Sequence, residues 1–179
     1  PISRKYVYRP PMSPIPGQAS AAIGGRSFDL TATITRQRND NGVLFSTGTE
    51  NSGISIFIQN ERLVVDYNAF DDHSVVTSSI EIPAGYSTVS AQFRRLKKGG
   101  EITIYVNGEP SGSVRVPLFM RMISSVGSSI GYDHGSAVSP QYESPFPFQG
   151  QLHQIEIQLA AKRAPDTDKA QARAENARQ

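Results

Sequence analysis

From Arg26 onward the chain alternates apolar and polar residues with a period of two. Phe28, Leu30, Ala32 and Ile34 are separated by Asp29, Thr31, Thr33 and Thr35, which predicts a strand with one buried face and one wet face. Val43 and Phe45 resume the pattern after Asn41-Gly42. Ile54, Ile56 and Ile58 then form one apolar face, and Leu63, Val65 and Tyr67 another. Asn60-Glu61 between them is short enough for a tight hairpin turn. Val89, Ala91 and Phe93 lead to a Lys97-Lys98-Gly99-Gly100 turn, and Ile102, Ile104 and Val106 follow. Asn107-Gly108 is the strongest two-residue turn signal in the chain. The stretch FPFQGQLHQIEIQL predicts a last strand from Phe146 to Leu159. Its apolar phase slips between Leu152 and Ile155, which predicts a bulge near His153 and Gln154.

Strands that recur about every ten residues between turns, with no helical pattern among them, predict an all-β fold. The expected architecture is an antiparallel two-sheet β-sandwich of jelly-roll type spanning residues 18–159. The flanks differ in character. Residues 1–17 hold five of the twelve prolines, so they predict a Pro-rich, semi-rigid connector that lies along another surface through Tyr6, Val7 and Tyr8. Residues 160–179 are rich in alanine. Thr167 as a cap, Asp168 in the first turn and Arg178 in the last predict a short C-terminal helix, marginal alone because it has only alanines to bury.

Composition narrows the classes of partner. Across 179 residues the net charge is only +2, too weak a pull to predict a nucleic-acid partner. No apolar run approaches the roughly 20 residues of a membrane span, so no membrane partner is expected. The absence of cysteine excludes disulfides, thiolate metal sites and cysteine nucleophiles, and leaves the redox compartment open. A start at Pro1 without an apolar signal region reads as a processed protein or a piece of a longer one.

Candidate chemistry is sparse. No Gly-x-Ser-x-Gly elbow is present. His73 and His134 each follow an aspartate in an expected loop and read as solvated residues rather than halves of a hydrolytic dyad, while His153 reads as a strand residue. No two histidines have zinc-ligand spacing. Asn68, Asp71 and Asp72, with Asp133 at another strand end, could give oxygen ligands to calcium, but they read first as turn-favouring residues. No cofactor is therefore expected, and calcium is the alternative. Sugar recognition wants aromatic platforms, and Tyr67, Phe70, Tyr105, Tyr132 and Tyr142 are the rings on offer. The candidate ligand-binding set is Asn68, Asp71, Asp72, Tyr105 and Asp133, with no residue assigned to catalysis or to metal. Arg94, Arg95, Lys97 and Lys98 read as a solvated hairpin tip. A glycosidase needs paired carboxylates, and Glu156 has only Gln154 and Gln158 two residues to either side.

The segment GEITIYVNGEPSGSVRV (Gly100 to Val116) resembles the strand-turn-strand of laminin-G and concanavalin A-like sandwiches, and FPFQGQLHQIEIQL is similar to their final strand. Three further stretches are GRSFDLTATI (Gly25 to Ile34), GVLFSTGTENSGISIFIQNERLVVDYNAF (Gly42 to Phe70) and IGYDHGSAVSPQYESPFPFQG (Ile130 to Gly150). Together they resemble the C-terminal region of large bacterial arylsulfatases, which follows the α/β catalytic domain. The resemblance runs from about Tyr8 to Leu159. It implies a non-catalytic accessory sandwich whose partner is the sulfatase catalytic domain of the same parent chain, in the bacterial cytoplasm or periplasm. Both flanks would then bury against that domain. The chain lacks the Cys/Ser-x-Pro-x-Arg motif that sulfatases convert to formylglycine, so no residue inherits a catalytic role and the chain is expected not to be an enzyme. The alternative is an autonomous, lectin-like carbohydrate-binding module, with or without calcium, whose partner is a glycan.

Overall fold

The structure is a computed structural model that describes residues 4–16, 23–121 and 127–160. It is a sandwich of two antiparallel sheets, built from β1 (Arg4–Tyr8), β2 (Phe28–Arg36), β3 (Gly42–Gly48), β4 (Gly53–Gln59), β5 (Arg62–Ala69), β6 (Asp72–Thr77), β7 (Gly85–Arg95), β8 (Gly100–Val106), β9 (Glu109–Val116), β10 (Ser128–Ile130) and β11 (Gln151–Leu159). One sheet runs β1-β11-β2-β7-β8-β9 and the other β10-β3-β4-β5-β6. The helix expected after Ala160 lies outside the described residues.

The six-stranded sheet keeps the alternation of the sequence. Phe28, Leu30, Ala32 and Ile34 face the core beside Val89, Ala91 and Phe93 of β7, and Ile102, Ile104 and Val106 of β8. Phe28 and Phe93 are cross-strand partners whose rings stack at 4.2 Å. Both Asn107 and Gly108 have positive φ, the conformation that a tight hairpin demands. The bulge falls where the phase slip puts it, between Leu152 and Gln154. The last strand is shorter than expected, however. It opens at Gln151, because Phe146 and Phe148 belong to the preceding loop.

The five-stranded sheet behaves differently. Its central strands β3, β4 and β5 are buried on both faces. The inner face joins the main core through Ile54, Ile56, Ile58, Leu63, Val65 and Tyr67. The outer face is roofed by the loop of residues 131–150, pinned by a second apolar cluster of Val43, Phe57, Val64 and Tyr142. Val43 and Phe45, expected on one face, point to opposite sides, because the register shifts between them. The roof sits so close that a Cβ at Gly53 would stand 3.0 Å from a Val138 methyl, besides meeting the Thr47 carbonyl oxygen of the neighbouring strand β3 at 2.4 Å.

The N-terminal stretch contributes a strand to the sandwich itself. Arg4 to Tyr8 pair with Leu159 to Ile155 and complete the sheet edge that β11 would otherwise expose. Tyr6 and Tyr8 pack on the core. Ile15 then crosses to the other sheet, its N–H donating to the Ser128 carbonyl at 2.8 Å and its carbonyl accepting from the Ser128 N–H at 3.0 Å. The prolines at 10, 11 and 14 fall between these anchors, where no ladder bond is asked of them.

A buried ion pair ties the layers together. Arg36, at the end of β2, is fully buried and places Nη2 2.6 Å from Glu61 Oε1, while Nη1 donates to the Ile82 carbonyl at 2.8 Å. Glu61 sits in the β4–β5 turn at φ 69, after Asn60 at φ 53. The turn Asn60-Glu61 was legible; the fastening it carries was not.

Candidate functional site

At the end of the five-stranded sheet where β3 turns into β4 and β5 into β6, the roof loop leaves a depression of about 460 Å3. That is within the range of roughly 300–1,000 Å3 usual for ligand sites. Its walls are Glu50 and Asn51 from the first turn, Asp71 from the second, His73 from the start of β6, and Ala137 to Pro140 and Tyr142 from the roof.

His73 stands in strand β6 and not in a loop. Its Nδ1 lies 2.8 Å from Asp66 Oδ1, and its Nε2 lies 3.5 Å from Asp71 Oδ1. The carboxylate of Asp66 is fully buried, so it accepts from Nδ1–H and fixes the ring. Asp66 comes from β5, where its strand partners are Ser55 and Val75. This arrangement leaves Nε2 turned toward Asp71 and the depression.

Tyr142 forms the inner wall. Its ring packs edge-on to Phe57 at 5.0 Å and stacks on Phe146 at 5.1 Å. Its hydroxyl donates to Asp133 Oδ2 at 2.6 Å and accepts from Ser55 Oγ at 2.8 Å. Burial pushes the hydroxyl pKa well up, and the bond to Asp133 pushes it the same way, so the group stays a donor. Asp133 Oδ2 also accepts from the Val138 N–H at 3.1 Å. Asn68 donates to the carbonyls of Glu50 at 2.7 Å and Val138 at 3.2 Å, and accepts from the Asp71 N–H at 2.8 Å.

The structure therefore brings Asn68, Asp71 and Asp133 to one end of the fold but gives them different work. Asn68 and Asp133 are buried clamps that hold the two turns and the roof in place. Asp71 alone of the three faces the depression. Asp72 is exposed and opens β6 opposite Ala69. Tyr105 lies on the outer face of the other sheet, where its hydroxyl donates to Gln92 Oε1 at 3.1 Å, so it takes no part in this site. Among the described residues, no three His, Asp or Glu side chains converge as metal ligands do.

The sequence reading missed His73, Asp66, Glu50 and Asn51. A signal was present for one of them. Asp66 interrupts the otherwise apolar run Leu63-Val64-Val65, and a carboxylate in a strand buried on both faces needs a dedicated partner. At this end of the fold two buried carboxylate oxygens, Asp66 Oδ2 and Asp133 Oδ1, have no hydrogen-bond partner among the described residues.

The turn beside the depression is unusual. Phe70 and Asp71 have φ 53 and φ 70, where Asn-Gly is the ordinary choice. A bulky residue there is strained, and such strain concentrates at functional sites. Phe70 is also 68% exposed.

No protein-family model matches the sequence, and no curated protein matches it. Solved structures match its fold. The CBM40 of the Ruminococcus gnavus IT-sialidase aligns at 14% identity with TM-score 0.58, over 75% of this chain and 76% of that one. The same CBM40 bound to alpha2,6 sialyllactose aligns at 13% identity with TM-score 0.56, over 78% and 80%. A putative carbohydrate binding protein from Bacteroides ovatus aligns at 17% identity and TM-score 0.55, over 87% of this chain but 40% of that one. Domains LG4-5 of the mouse laminin alpha1 chain align at 15% identity and TM-score 0.50, over 87% and 40%. The fold is thus that of laminin-G and carbohydrate-binding sandwiches. Nothing in these comparisons links the chain to arylsulfatases, and that resemblance rests on its sequence stretches alone.

Proposed function

We propose that the chain is a non-catalytic carbohydrate-binding module that takes a sugar in the depression between the two turns and the roof loop. One observation carries the reading. An exposed, strained Phe70 directly precedes Asp71 in the turn that borders the depression, and Asp71 and Glu50 line that depression together with His73, whose ring Asp66 holds. A pyranose has an apolar face of C–H groups and a rim of hydroxyls. Phe70 offers a ring to the first, and the carboxylates and His73 Nε2 offer hydrogen-bond partners to the second. The fold shared with carbohydrate-binding modules supports this reading over the accessory sulfatase domain.

The test uses a substitution in which strain and binding part company. Glycine adopts positive φ freely, so Phe70→Gly relieves strain and should leave the melting temperature unchanged or raised. On a glycan array followed by calorimetry of the best ligand, the same variant should bind at least tenfold more weakly. Undiminished binding by Phe70→Gly would overturn the assignment of the site. Absence of any array ligand for the parent chain would overturn the function.

The accessory-domain reading rests on its sequence stretches alone. Two of its three stretches fold into the β3–β5 meander and the roof loop that build this end of the molecule. A binding module attached to a sulfatase catalytic domain satisfies both readings.

A further inference from the structure

The charge of the depression narrows the kind of sugar. Glu50 and Asp71 line it, and no lysine or arginine among the described residues does. Behind the wall stand two more carboxyl groups, each nearly or fully buried: Asp66 is bonded to the wall residue His73, and Asp133 to the wall residues Tyr142 and Val138. Each keeps one oxygen with no partner among the described residues. The described ion pairs place Arg36 and Arg38 at Glu61 in the β4–β5 turn, Arg94 at Asp29 and Lys5 at Glu156. All of these lie on other parts of the fold. Among the described residues the only basic group on the depression wall is His73, itself held between Asp66 and Asp71. Two exposed carboxylates at the rim and two buried ones behind it favour a cation over an anion, most strongly at low salt.

Resting on the carbohydrate-binding reading, we infer that the ligand is an amino sugar whose ammonium group sits against Glu50 and Asp71 while its ring lies beside Phe70. The ammonium supplies three donors and one positive charge to a wall that offers acceptors and negative charge. Sugars that carry a carboxylate or a sulfate meet that same wall as like charges. The chain should therefore reject the sialylated class of ligand that the CBM40 of like fold is seen to hold.

The experiment is calorimetry on the full chain in low-salt buffer containing EDTA, so that no divalent cation bridges protein and ligand. The probes are the β1,4-linked glucosamine tetramer, its fully N-acetylated counterpart, alpha2,6 sialyllactose and tetralysine. The glucosamine tetramer should bind at least tenfold more tightly than the acetylated tetramer, and sialyllactose should not bind. Tetralysine should bind more weakly than the glucosamine tetramer, because it lacks a ring for Phe70. The double variant Glu50→Gln, Asp71→Asn changes two exposed side chains, so it should fold normally and bring the preference for the free amine down to threefold or less. Equal or tighter binding of the acetylated tetramer, binding of sialyllactose, or equal binding of tetralysine would each overturn the inference. The first two of these would leave the carbohydrate-binding reading standing. A chain that binds none of these probes and no array glycan overturns both.

Discussion

Replacing Glu61 by alanine should cost about 3–5 kcal/mol, read as a large drop in the urea midpoint. Arg36 is the reason. Its guanidinium has no contact with solvent and has Glu61 as its ionic partner at 2.6 Å. Removing that partner strands a buried charge, whereas the carbonyls of Ile82 and Asp40 offer only neutral acceptors. A second variant separates the ion pair from the backbone. Position 61 lies at φ 69, a conformation that costs a side-chain-bearing residue about 1–2 kcal/mol. Glu61→Gly loses the same pair but relieves that strain, so it should be the milder of the two substitutions. An alanine variant as stable as the parent would show that the pair does not hold the sheets together. The pH dependence has a definite sign. The Asn39 N–H and then the Arg36 guanidinium hold the Glu61 carboxyl below its ordinary value of 4.5, and partial burial opposes them. A carboxylate with a depressed pKa contributes stability that is fully present above the ordinary carboxylate range and is lost as pH falls through the lowered value. The gap in stability between parent and Glu61→Ala should therefore narrow as the pH drops below 4.5.

Ile104→Ala should cost about 2–5 kcal/mol, while Thr103→Ala should change stability by no more than about 0.5 kcal/mol. Ile104 is fully buried at the centre of β8, between Ala91 on one neighbouring strand and Gly112 on the other. Those partners are too small to fill the cavity that alanine would leave. Thr103 is the next residue but faces outward, between Gln92 and Ser113. Equal effects of the two substitutions would mean that the strand is in the opposite phase.

The strands around Ile104 were legible because one of their faces is wet. Period-two alternation appears only where a sheet has water on one side, as the six-stranded sheet does. Where the roof loop covers the second face, Val43, Phe57 and Val64 are apolar as well, and the alternation fades. The strand Asp72–Thr77 was hidden for that reason, with Val75 facing the roof cluster and Val76 the main core. The N-terminal strand was hidden by the prolines that follow it, which mark the crossing between sheets rather than the absence of pairing. The site was less legible than the fold. Asp71 reads as a turn residue from sequence and is one, but the turn also carries it to the cavity wall. Asp66 and His73 are seven residues apart on two strands, and only the hydrogen bond between their side chains makes them a unit. The candidate Tyr105 lies away from the depression, on the outer face of the six-stranded sheet, since a strand reading fixes phase but not which sheet a strand joins.

The most direct test of the binding site is amide chemical-shift mapping on the isotopically labelled chain, titrated with its best array glycan. Shifts should concentrate at residues 50–53, 70–73 and 137–140, with the outer face of the six-stranded sheet unmoved. Shifts centred instead on Thr31, Ser90 and Tyr105, or on the hollow between Met12, Tyr132 and Phe148, would contradict the site.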